Sequence, residues 1–333
     1  MEETHRDPGL DGRRAAMART PYRTRHATHE GATCMKKRHR RPPQPTSRPA
    51  DPLALSPLAL FDALRERAAR DATGLVPVEG VRQLLTAYQA GKTFHAIVHA
   101  PILQRNGDAR RAIKALRAAG VPVQAVSPEA FRRVSTARHA SGVGAIVRQK
   151  WTSPERLSGS PGPGSPGGPE LWIGARHLRS DGNLGTILRT IDATRAAGLI
   201  CLGATLDPFA PDVVRASMGA IMSVGLMRTT HSELGRVTRG GPTRVLGASA
   251  HGERALWECD LSTRPTVVLI GHERHGLTEE EAELCDELVT IPMQGAVSSI
   301  NAGVAASLVL YEAMRQRAQP SPATVSGPMT SIM

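Results

Sequence analysis

The sequence predicts an α/β protein of two domains, and three observations lead to this prediction. The chain has 333 residues, enough for two domains of roughly 100 to 200 residues each. Short apolar runs typical of buried strands alternate with segments of helical spacing over most of the chain. From Ser158 to Pro169 every residue is Ser, Gly or Pro, a composition typical of a linker between domains.

The composition excludes several classes of protein. The cysteines show no paired spacing, which argues against a disulfide scaffold or a Cys-rich zinc module. No apolar run approaches the roughly 18 residues of a membrane span, and no apolar signal segment follows the N-terminus. We therefore expect a reducing, cytoplasmic setting. Aromatic residues are only 3% of the chain, too few to line a base-stacking sheet.

Residues 1–51 are predicted to be a disordered basic extension. The first 50 residues contain 12 Lys and Arg against 5 Asp and Glu, so they contribute +7 of the net charge of +12. This stretch lacks an apolar period and cannot bury enough surface to offset its ordering entropy. One interpretation is an arm that binds RNA phosphate. The alternatives are an inert tail, or residues encoded upstream of a true start at Met35.

Residues 52–151 are predicted to form a small α/β domain. Ser56 is a typical N-cap, with Pro57 at the first helical position. A second helix runs through Leu84 and ends at Gly91. The predicted strands are 94–99, 121–126 and 143–147. A helix between the first two strands carries four basic residues, Arg110, Arg111, Lys114 and Arg117.

Residues 170–317 are predicted to form a larger α/β domain, after a linker at 152–169 and before a flexible tail at 318–333. One helix runs from Asn183 to a stop at Gly198, a second from Pro211 to Met222, and the last over 302–317. The predicted strands are 171–174, 199–202, 244–248, 266–270 and 288–291. Strands separated by helices form a parallel sheet, whose ligands bind beyond the carboxyl ends of the strands.

Three loops at these predicted strand ends carry candidate functional residues. In the first, residues 181–189, Arg189 lies on the helix flank shared with Gly185. We expect this glycine to leave an open surface, above which the arginine could reach a phosphate or a ribose. In the second, residues 271–277, two glycines surround a charged pair and permit close approach of the backbone to a ligand. In the third, residues 291–301, a strand leads through adjacent serines into a helix of small residues.

Each loop also has a purely structural interpretation. Arg189 could be a surface residue of a well-capped helix. The second loop could be a plain turn before a helix capped by Thr278, and the third could simply lead into a core helix. His272 and His275 lie three residues apart, but no carboxylate–histidine helix accompanies them, so no metal site is predicted.

Taken together and in this order, the three loops resemble the SpoU family of RNA ribose 2′-O-methyltransferases, the TrmH-like branch of the SPOUT class. The resemblance covers about residues 170–315. Residues 214–220 are similar to the central helix of the family, and Ser299-Ile300-Asn301 stands where the family has Ser-Leu-Asn. The N-terminal domain, with Val78-Glu79-Gly80-Val81, is similar to the ribosomal-protein-like RNA-binding domain often fused to this catalytic domain.

The resemblance implies a fold, a cofactor and a partner. The fold is a SPOUT-type α/β domain with a deep C-terminal trefoil knot, in which the chain after Ile291 threads through a loop. The cofactor is S-adenosylmethionine, and the implied partners are RNA and a second copy of the chain. The positions that match the cofactor site are Gly271, Ile291, Ile300, Ala248 and Ser249. We expect the RNA contacts at Arg110, Arg111, Lys114, Arg117 and Arg215.

The resemblance also implies the catalytic residues, which are Arg189, Asn183, Glu273, Ser299 and Asn301. In the implied reaction a ribose 2′-oxygen displaces a thioether from a sulfonium methyl group, so the protein must orient the hydroxyl and help to remove its proton. A guanidinium is a poor literal base. We therefore expect Arg189 to align the hydroxyl and the neighbouring phosphate, while the other four residues shape the pocket around it.

This sequence departs from the family pattern in the first loop. Many members have Asn-Pro before the motif asparagine, whereas this chain has Asp181-Gly182-Asn183. The fused N-terminal domain favours 23S ribosomal RNA as substrate, and members of this type include antibiotic self-resistance enzymes such as those for thiostrepton. A tRNA substrate, methylation of a base, and a non-catalytic RNA- or ribosome-binding role stay open as alternatives.

Overall fold

The computed structural model describes residues 51–159 and 169–318, which contain two β-sheets and the helices that cover them. The predictions for residues 1–50, for 160–168 of the linker and for the tail from residue 319 onward lie outside the described residues. Within the described ranges, no helix is both long and apolar enough to cross a membrane.

The N-terminal domain contains a mixed four-stranded sheet in the order β1-β4-β2-β3. Its strands are β1 (Leu75–Glu79), β2 (Phe94–His99), β3 (Val123–Ala125) and β4 (Val143–Arg148). Its helices are α1 (Pro57–Ala63), α2 (Arg67–Thr73), α3 (Val81–Gln89), α4 (Gly107–Ala118) and α5 (Pro128–Val134). The predicted cap is present, since Ser56 Oγ accepts a hydrogen bond from the backbone N–H of Ala59 at 3.4 Å.

The C-terminal domain contains a seven-stranded sheet that is parallel throughout, in the order β7-β6-β5-β10-β8-β11-β9. Its strands are β5 (Leu171–Ala175), β6 (Gly198–Leu202), β7 (Gly225–Thr229), β8 (Arg244–Ala248), β9 (Arg254–Ala255), β10 (Thr266–Ile270) and β11 (Glu287–Thr290). Its helices are α6 (Asp181–Thr194), α7 (Pro211–Ala216), α8 (His231–Thr238), α9 (Glu279–Glu283) and α10 (Ala302–Ala318). The predicted parallel sheet is confirmed.

Two helix ends differ from the prediction. Gly198 does not stop α6. That helix ends at Arg195, which adopts the left-handed conformation at φ 53°, and Gly198 is the first residue of β6. The helix predicted from Pro211 to Met222 is interrupted, because Met218 (φ 52°) and Gly219 (φ 99°) both leave the right-handed helical region before a short 3₁₀ turn. A helical sequence pattern does not reveal such a break when non-glycine residues contribute to it.

The first residues of the predicted linker belong to the C-terminal domain. The backbone N–H of Thr152 donates to the carbonyl of Leu226 at 2.6 Å. Leu157 is buried among core residues of the parallel sheet, and Ser158 Oγ donates to the carbonyl of Val237 at 2.9 Å. Within the predicted linker 152–169, residues 152–158 therefore pack against the parallel sheet, and burial of Leu157 contributes to the ordering of this segment.

The two domains pack against each other through buried polar and aromatic contacts. Arg70 on α2 is 3% exposed and forms an ion pair with Asp207, in the loop after β6. Trp151 packs edge-on against Phe209 at 5.3 Å between ring centroids. The guanidinium of Arg228 lies 4.4 Å from the centre of the Trp151 ring. Removing one member of a buried ion pair is costly, so these contacts hold the domains in a fixed orientation.

The segment that joins β8 to β10 passes around β11. Strand β11 pairs with β8 on one side and with β9 on the other, and β9 lies within that connecting segment. The same segment contacts the end of α10, since the Leu261 N–H donates to Gln316 Oε1 at 2.7 Å and Gln316 Nε2 donates to the Cys259 carbonyl at 2.8 Å. The end of α10 is thereby joined to the segment between β8 and β10.

Candidate active site

A cavity of about 420 Å³ lies beyond the carboxyl ends of β8, β10 and β11. The rule for ligand sites in parallel sheets predicts this position. All five residues predicted to bind the cofactor line the cavity: Ala248, Ser249, Gly271, Ile291 and Ile300. The loops after β8, β10 and β11 therefore converge on one site, whereas no residue of the first predicted loop, 181–189, lines it.

The loop after β10 folds back on itself across the cavity wall. The His272 and Gly276 backbone groups exchange two hydrogen bonds of 2.9 Å. A Cβ atom on Gly271 would lie 2.2 Å from the carbonyl carbon of Gly276, and Gly276 itself has φ +69°. The sequence prediction was that these glycines permit approach to a ligand. In the structure, Gly271 first permits the approach of its own loop, because the backbone of that loop occupies the space of a side chain.

Three predicted catalytic residues form one hydrogen-bond network that joins α6, the β10 loop and the start of α10. Asn183 Nδ2 donates to Glu273 Oε1 at 2.8 Å, and Asn301 Nδ2 donates to Asn183 Oδ1 at 3.0 Å. Asn301 Oδ1 accepts from the backbone N–H of Gly303 at 2.8 Å, which ties the network to the first turn of α10. Each amide is thus held in one orientation by partners on both sides.

The network keeps Glu273 ionised. Partial burial alone would raise the pKa of this carboxyl group, but donated hydrogen bonds outweigh that effect and lower its pKa below the ordinary 4.5. The donors include its own backbone N–H, Asn183 Nδ2 and the backbone N–H of Arg179, which lies 3.1 Å from both carboxylate oxygens. A fixed negative charge therefore lies in the cavity wall at neutral pH.

The two remaining predicted catalytic residues differ in their position. Ser299 lines the cavity. Arg189 is exposed on α6, outside the cavity lining, and its side chain makes no hydrogen bond or ion pair within residues 51–159 and 169–318. The expected glycine opening beside it is absent, since a Cβ on Gly185 would lie 2.4 Å from Ala216 Cβ, so α7 fills that space. The chain described here does not bring Arg189 to the cavity.

The cavity also contains polar residues that the sequence analysis did not assign. His251, His272, Arg274 and His275 line it, and the rings of His272 and His275 stack at 5.0 Å between centroids. Among the described residues, no group of three or more His, Cys, Asp or Glu side chains is arranged to hold a metal ion. His251 could have been found from its place just after β8, at the predicted ligand edge of the sheet.

The predicted RNA-binding residues lie on two surfaces. The four basic residues of α4 are all exposed, and Arg111 pairs with Asp108 on the same helix. Arg215 on α7 pairs with Asp212 at 2.8 Å, and its guanidinium also donates to the Thr136 carbonyl of the N-terminal domain at 3.3 Å. Arg215 therefore links the two domains as well as presenting a positive charge.

Comparison with known proteins identifies the class to which this fold and cavity belong. Residues 170–311 match the SpoU rRNA Methylase family, and residues 60–145 match the MRM3-like substrate binding domain. The chain is similar to the SpoU methyltransferase AviRb of Streptomyces viridochromogenes, whose structure was solved with AdoMet. Their sequence identity is 30% and the TM-score 0.67, over 77% of this chain and 96% of that one. The chain belongs to the SpoU rRNA methylase family.

Two further relatives show the extent of the similarity. The AdoMet-bound rRNA methyltransferase of Sinorhizobium meliloti has a TM-score of 0.68 at 27% identity, over 77% of this chain and 92% of that one. The 23S rRNA (uridine(2479)-2′-O)-methyltransferase of Streptomyces viridochromogenes is 40% identical over 44% of this chain and 52% of that protein. In that alignment and several others, the chain spans about half the length of the curated relatives it matches.

Proposed function

We propose that the protein is an S-adenosylmethionine-dependent methyltransferase that modifies a ribose 2′-hydroxyl of RNA, with 23S ribosomal RNA as its substrate. The observation that carries the proposal is the convergence of the loops after β8, β10 and β11 on one cavity, in whose wall Glu273 is held by the hydrogen-bond network with Asn183 and Asn301. Membership of the SpoU family and similarity to AdoMet-bound enzymes support the same activity.

The cavity residues fit the proposed cofactor. A volume of about 420 Å³ lies in the range of small-molecule sites. Its walls combine aliphatic surface from Ile291 and Ile300 with backbone groups exposed at Gly271, and S-adenosylmethionine likewise has an apolar ring face and several hydrogen-bonding edges. The Glu273 carboxylate contributes negative charge to a cavity proposed to receive a sulfonium cation.

The chain's own residues have to orient the hydroxyl and manage its proton. When bound, S-adenosylmethionine supplies a methyl group activated by its sulfonium. We assign Asn183, Glu273, Ser299 and Asn301 to the shape and polarity of the reacting pocket. The network fixes Asn183, Glu273 and Asn301 before RNA binds, and Ser299 lines the cavity. We assign Arg189 to alignment of the ribose hydroxyl and the adjacent phosphate, for which a planar guanidinium with several donors is suited.

A homodimer would explain why Arg189 lies outside the cavity of its own chain. Helix α10 exposes an apolar stripe of four large side chains on one face: Val304, Leu308, Tyr311 and Met314. It also packs beside α6, where Thr190 Oγ1 and Ser307 Oγ lie 3.0 Å apart. We propose that this stripe is buried against a second subunit and that Arg189 of one subunit serves the cavity of the other.

The proposed fold includes the trefoil knot of the family. The pairing of β11 with β8 and β9, and the contact of the segment 249–265 with the end of α10, support this part of the proposal. A knot is rare among protein connections, and here it would fix the loops after β8, β10 and β11 around a single cavity.

The N-terminal domain is proposed to hold the RNA. The exposed basic face of α4 and the match to a substrate-binding domain support this role. Ribosomal RNA is favoured over tRNA because the relative aligned at 40% identity is a 23S rRNA methyltransferase. A cytoplasmic location is proposed as well, in keeping with the free thiols of Cys201, Cys259 and Cys285.

The test of the proposed function is methyl transfer from labelled S-adenosylmethionine to total bacterial RNA, with mapping of the product. We expect label at a ribose 2′-oxygen of 23S rRNA, and a loss of about 100-fold or more in Arg189→Ala, because one transition-state donor is worth that much. Arg189→Lys keeps the charge without the fork and should also be impaired. Near-normal turnover in Arg189→Lys would contradict the alignment role.

Other outcomes of the same experiment separate the alternatives. Label in tRNA would support the proposed methyl-transfer reaction and contradict 23S ribosomal RNA as the substrate. Products fully sensitive to nuclease digestion would indicate base methylation, since a 2′-O-methyl group leaves a resistant dinucleotide. No label in any RNA, from protein that folds and dimerises, would favour a non-catalytic RNA-binding protein.

Mixed subunits test the placement of Arg189. Arg189→Ala and Glu273→Gln homodimers should each be nearly inactive, whereas a mixed dimer would keep one cavity with both residues intact if Arg189 acts across the interface. We expect activity to return when the two variants are unfolded and refolded together. If mass spectrometry demonstrates mixed dimers but activity does not return, Arg189 and Glu273 act in the cavity of the same subunit.

A further inference from the structure

A second cavity lies at the opposite edge of the parallel sheet, where β5, β6 and β7 begin. It measures about 600 Å³ and shares no lining residue with the candidate active site. Strands of five residues separate the two edges by roughly 17 Å, at about 3.3 Å per residue. Both domains contribute to its walls. We call it the amino-edge cleft, and its charged lining residues are Lys92, Lys150, Arg156, Arg195, Arg317 and Glu170.

The charges of the amino-edge cleft do not balance. Glu170 is engaged by Arg156, whose Nε lies 3.0 Å from both carboxylate oxygens. Within the described part of the chain, the side chains of Lys92, Lys150 and Arg195 have no hydrogen bond or ion pair. Beyond the Arg156–Glu170 pair, the cleft therefore presents only positive side chains, and these come from separate segments of the chain.

The two lysines are held close to each other at a cost. Lys92 follows α3 and Lys150 follows β4, so packing of the N-terminal domain brings them together. Burial, and then repulsion from Lys150, lower the pKa of the Lys92 ammonium group. An anion between them would remove both penalties, because it neutralises the repulsion and replaces lost hydration.

Arg317 adds a further cation that lacks a full set of partners. Its Nε donates to the Leu261 carbonyl at 3.2 Å. Its Nη2 atom is buried and has no hydrogen-bond partner within residues 51–159 and 169–318. A buried donor without a partner is costly, and Arg317 adds positive charge to this end of the cleft.

We propose that the amino-edge cleft binds the phosphate groups of an RNA strand, as a contact separate from the methyl-transfer cavity. The choice of RNA as the source of these phosphates rests on the proposed function. The combination of two ammonium groups with guanidinium groups is suited to phosphate oxygens. The cleft is also large enough for more than a single phosphate group.

The cleft recognises the backbone of the strand and not its bases. Trp172 is the aromatic residue in its lining, and that side chain is 1% exposed, so its ring faces are covered by the protein. Base recognition on single strands uses exposed aromatic faces and base edges, whereas phosphate contacts carry no sequence information. The contact would therefore position the RNA across both domains without selecting its sequence.

The test compares the full-length wild type with Lys92→Gln/Lys150→Gln and with a matched control, Arg239→Gln/Arg264→Gln. The control removes two exposed positive charges before β8 and β10, outside the cleft lining. The probes are a 20-nucleotide oligouridylate, titrated over a range of salt concentrations, and inorganic tripolyphosphate. S-adenosylmethionine affinity is measured in parallel by calorimetry, and the thermal unfolding midpoint verifies that each variant is folded.

Each phosphate contact on a single strand contributes ~0.7 to the slope of log K against log salt, so loss of two contacts should reduce the magnitude of that slope by about 1.4. RNA binding at about 0.15 M salt should then weaken about tenfold. The control should show a clearly smaller change, and S-adenosylmethionine affinity should be the same in all three proteins. Tripolyphosphate binding by the wild type should disappear in the lysine variant.

Three results would overturn all or part of this proposal. Equal salt slopes and equal tripolyphosphate binding in the wild type and the lysine variant would show that the cleft does not bind phosphate groups. Lost tripolyphosphate binding with an unchanged RNA slope would assign the cleft to a small polyanion instead of RNA. Equal losses of RNA binding in the control variant would show that the effect depends on net charge and not on the cleft. By contrast, a chain that shows the cleft effect but binds no S-adenosylmethionine would disprove the proposed enzyme function and leave the cleft intact.

Discussion

The two edges of the parallel sheet treat polar groups in opposite ways. At the carboxyl edge, Asn183, Glu273 and Asn301 satisfy one another through hydrogen bonds of 2.8 to 3.0 Å. At the amino edge, Lys92 and Lys150 lie close together without a partner within the described residues. Paired groups define a geometry, whereas unpaired charges create a field that attracts an opposite charge. We therefore infer that the carboxyl edge orients reacting atoms and that the amino edge holds a charged ligand.

The largest expected effect comes from exchanging a carboxylate for an amide at each edge. Glu273→Gln would replace an acceptor-only carboxylate with an amide whose NH2 group faces the donors of Asn183 and Arg179, and this donor–donor mismatch should lower single-turnover methyl transfer about 100-fold. Glu170→Gln at the amino edge should leave the transfer rate unchanged and bind oligouridylate as tightly or more tightly, because it frees Arg156. Equal losses of transfer in both variants would abolish the distinction between the edges.

A pair of glycines sharpens the comparison at the level of the backbone. In Gly271→Ala the new Cβ would lie 2.2 Å from a backbone atom of Gly276, and in Gly198→Ala 2.1 Å from the Gly225 carbonyl oxygen. Both should lower the free energy of unfolding by about 1–3 kcal/mol through overpacking. Only Gly271→Ala should also weaken S-adenosylmethionine binding, as measured by calorimetry. A comparable loss of cofactor affinity in Gly198→Ala would indicate that the two edges are coupled.

A smaller effect is expected on stability at the amino edge. The folded-state pKa of Lys92 lies below its unfolded value of 10.5, so charging this group disfavours folding at neutral pH, and the wild type gains stability as pH rises between the two pKa values. Lys92→Gln should therefore raise the unfolding midpoint at pH 7 by no more than about 2 °C, since the group is half exposed. The difference should shrink toward pH 10. If Lys92→Gln were less stable than the wild type at pH 7, the inference that Lys92 carries an unpaired charge that disfavours folding would be wrong.

The smallest expected effect is the acid response of the carboxyl edge. The folded-state pKa of Glu273 lies below 4.5, so its stabilising contribution is fully present above that value and is lost as pH falls through the folded-state pKa. Glu273→Gln should lack this component, and its denaturant midpoint should fall less steeply than that of wild type below about pH 4.5. The difference should stay under about 1 kcal/mol because the carboxyl group is only partly buried and solvent screens its charge. Parallel curves would contradict the lowered pKa.

Much of the fold follows from local sequence patterns. Strands β8 and β10 have the predicted bounds, because each is a short apolar run that the parallel sheet buries on both faces. Strand β1 was missed. It contains Pro77, which cannot donate to a ladder and is tolerated because β1 lies at the edge of its sheet. Edge position depends on the order of strands, which no local pattern contains.

Part of the candidate site was also predictable, because it follows from the order of strands and helices. The order of strands and helices indicates that loops such as 271–277 and 291–301 follow carboxyl ends of parallel strands, so their convergence on one cavity follows from topology. The expected opening beside Arg189 was wrong, because a helical pattern shows which residues share a flank and not what packs against it. Ala216 of α7 occupies the space left by Gly185.

The sequence by itself determined the alternation of strands and helices, the parallel sheet and the loops that carry the candidate residues, because these depend on short-range periodicity and on steric rules of connection. Tertiary structure alone decided the Asn183–Glu273–Asn301 network, the fixed orientation of the two domains and the meeting of Lys92 with Lys150. Those contacts join residues far apart in the chain. They form only where packing brings distant segments to hydrogen-bond distance or within the range of a strong Coulomb interaction. The local preferences of neither segment encode that distance.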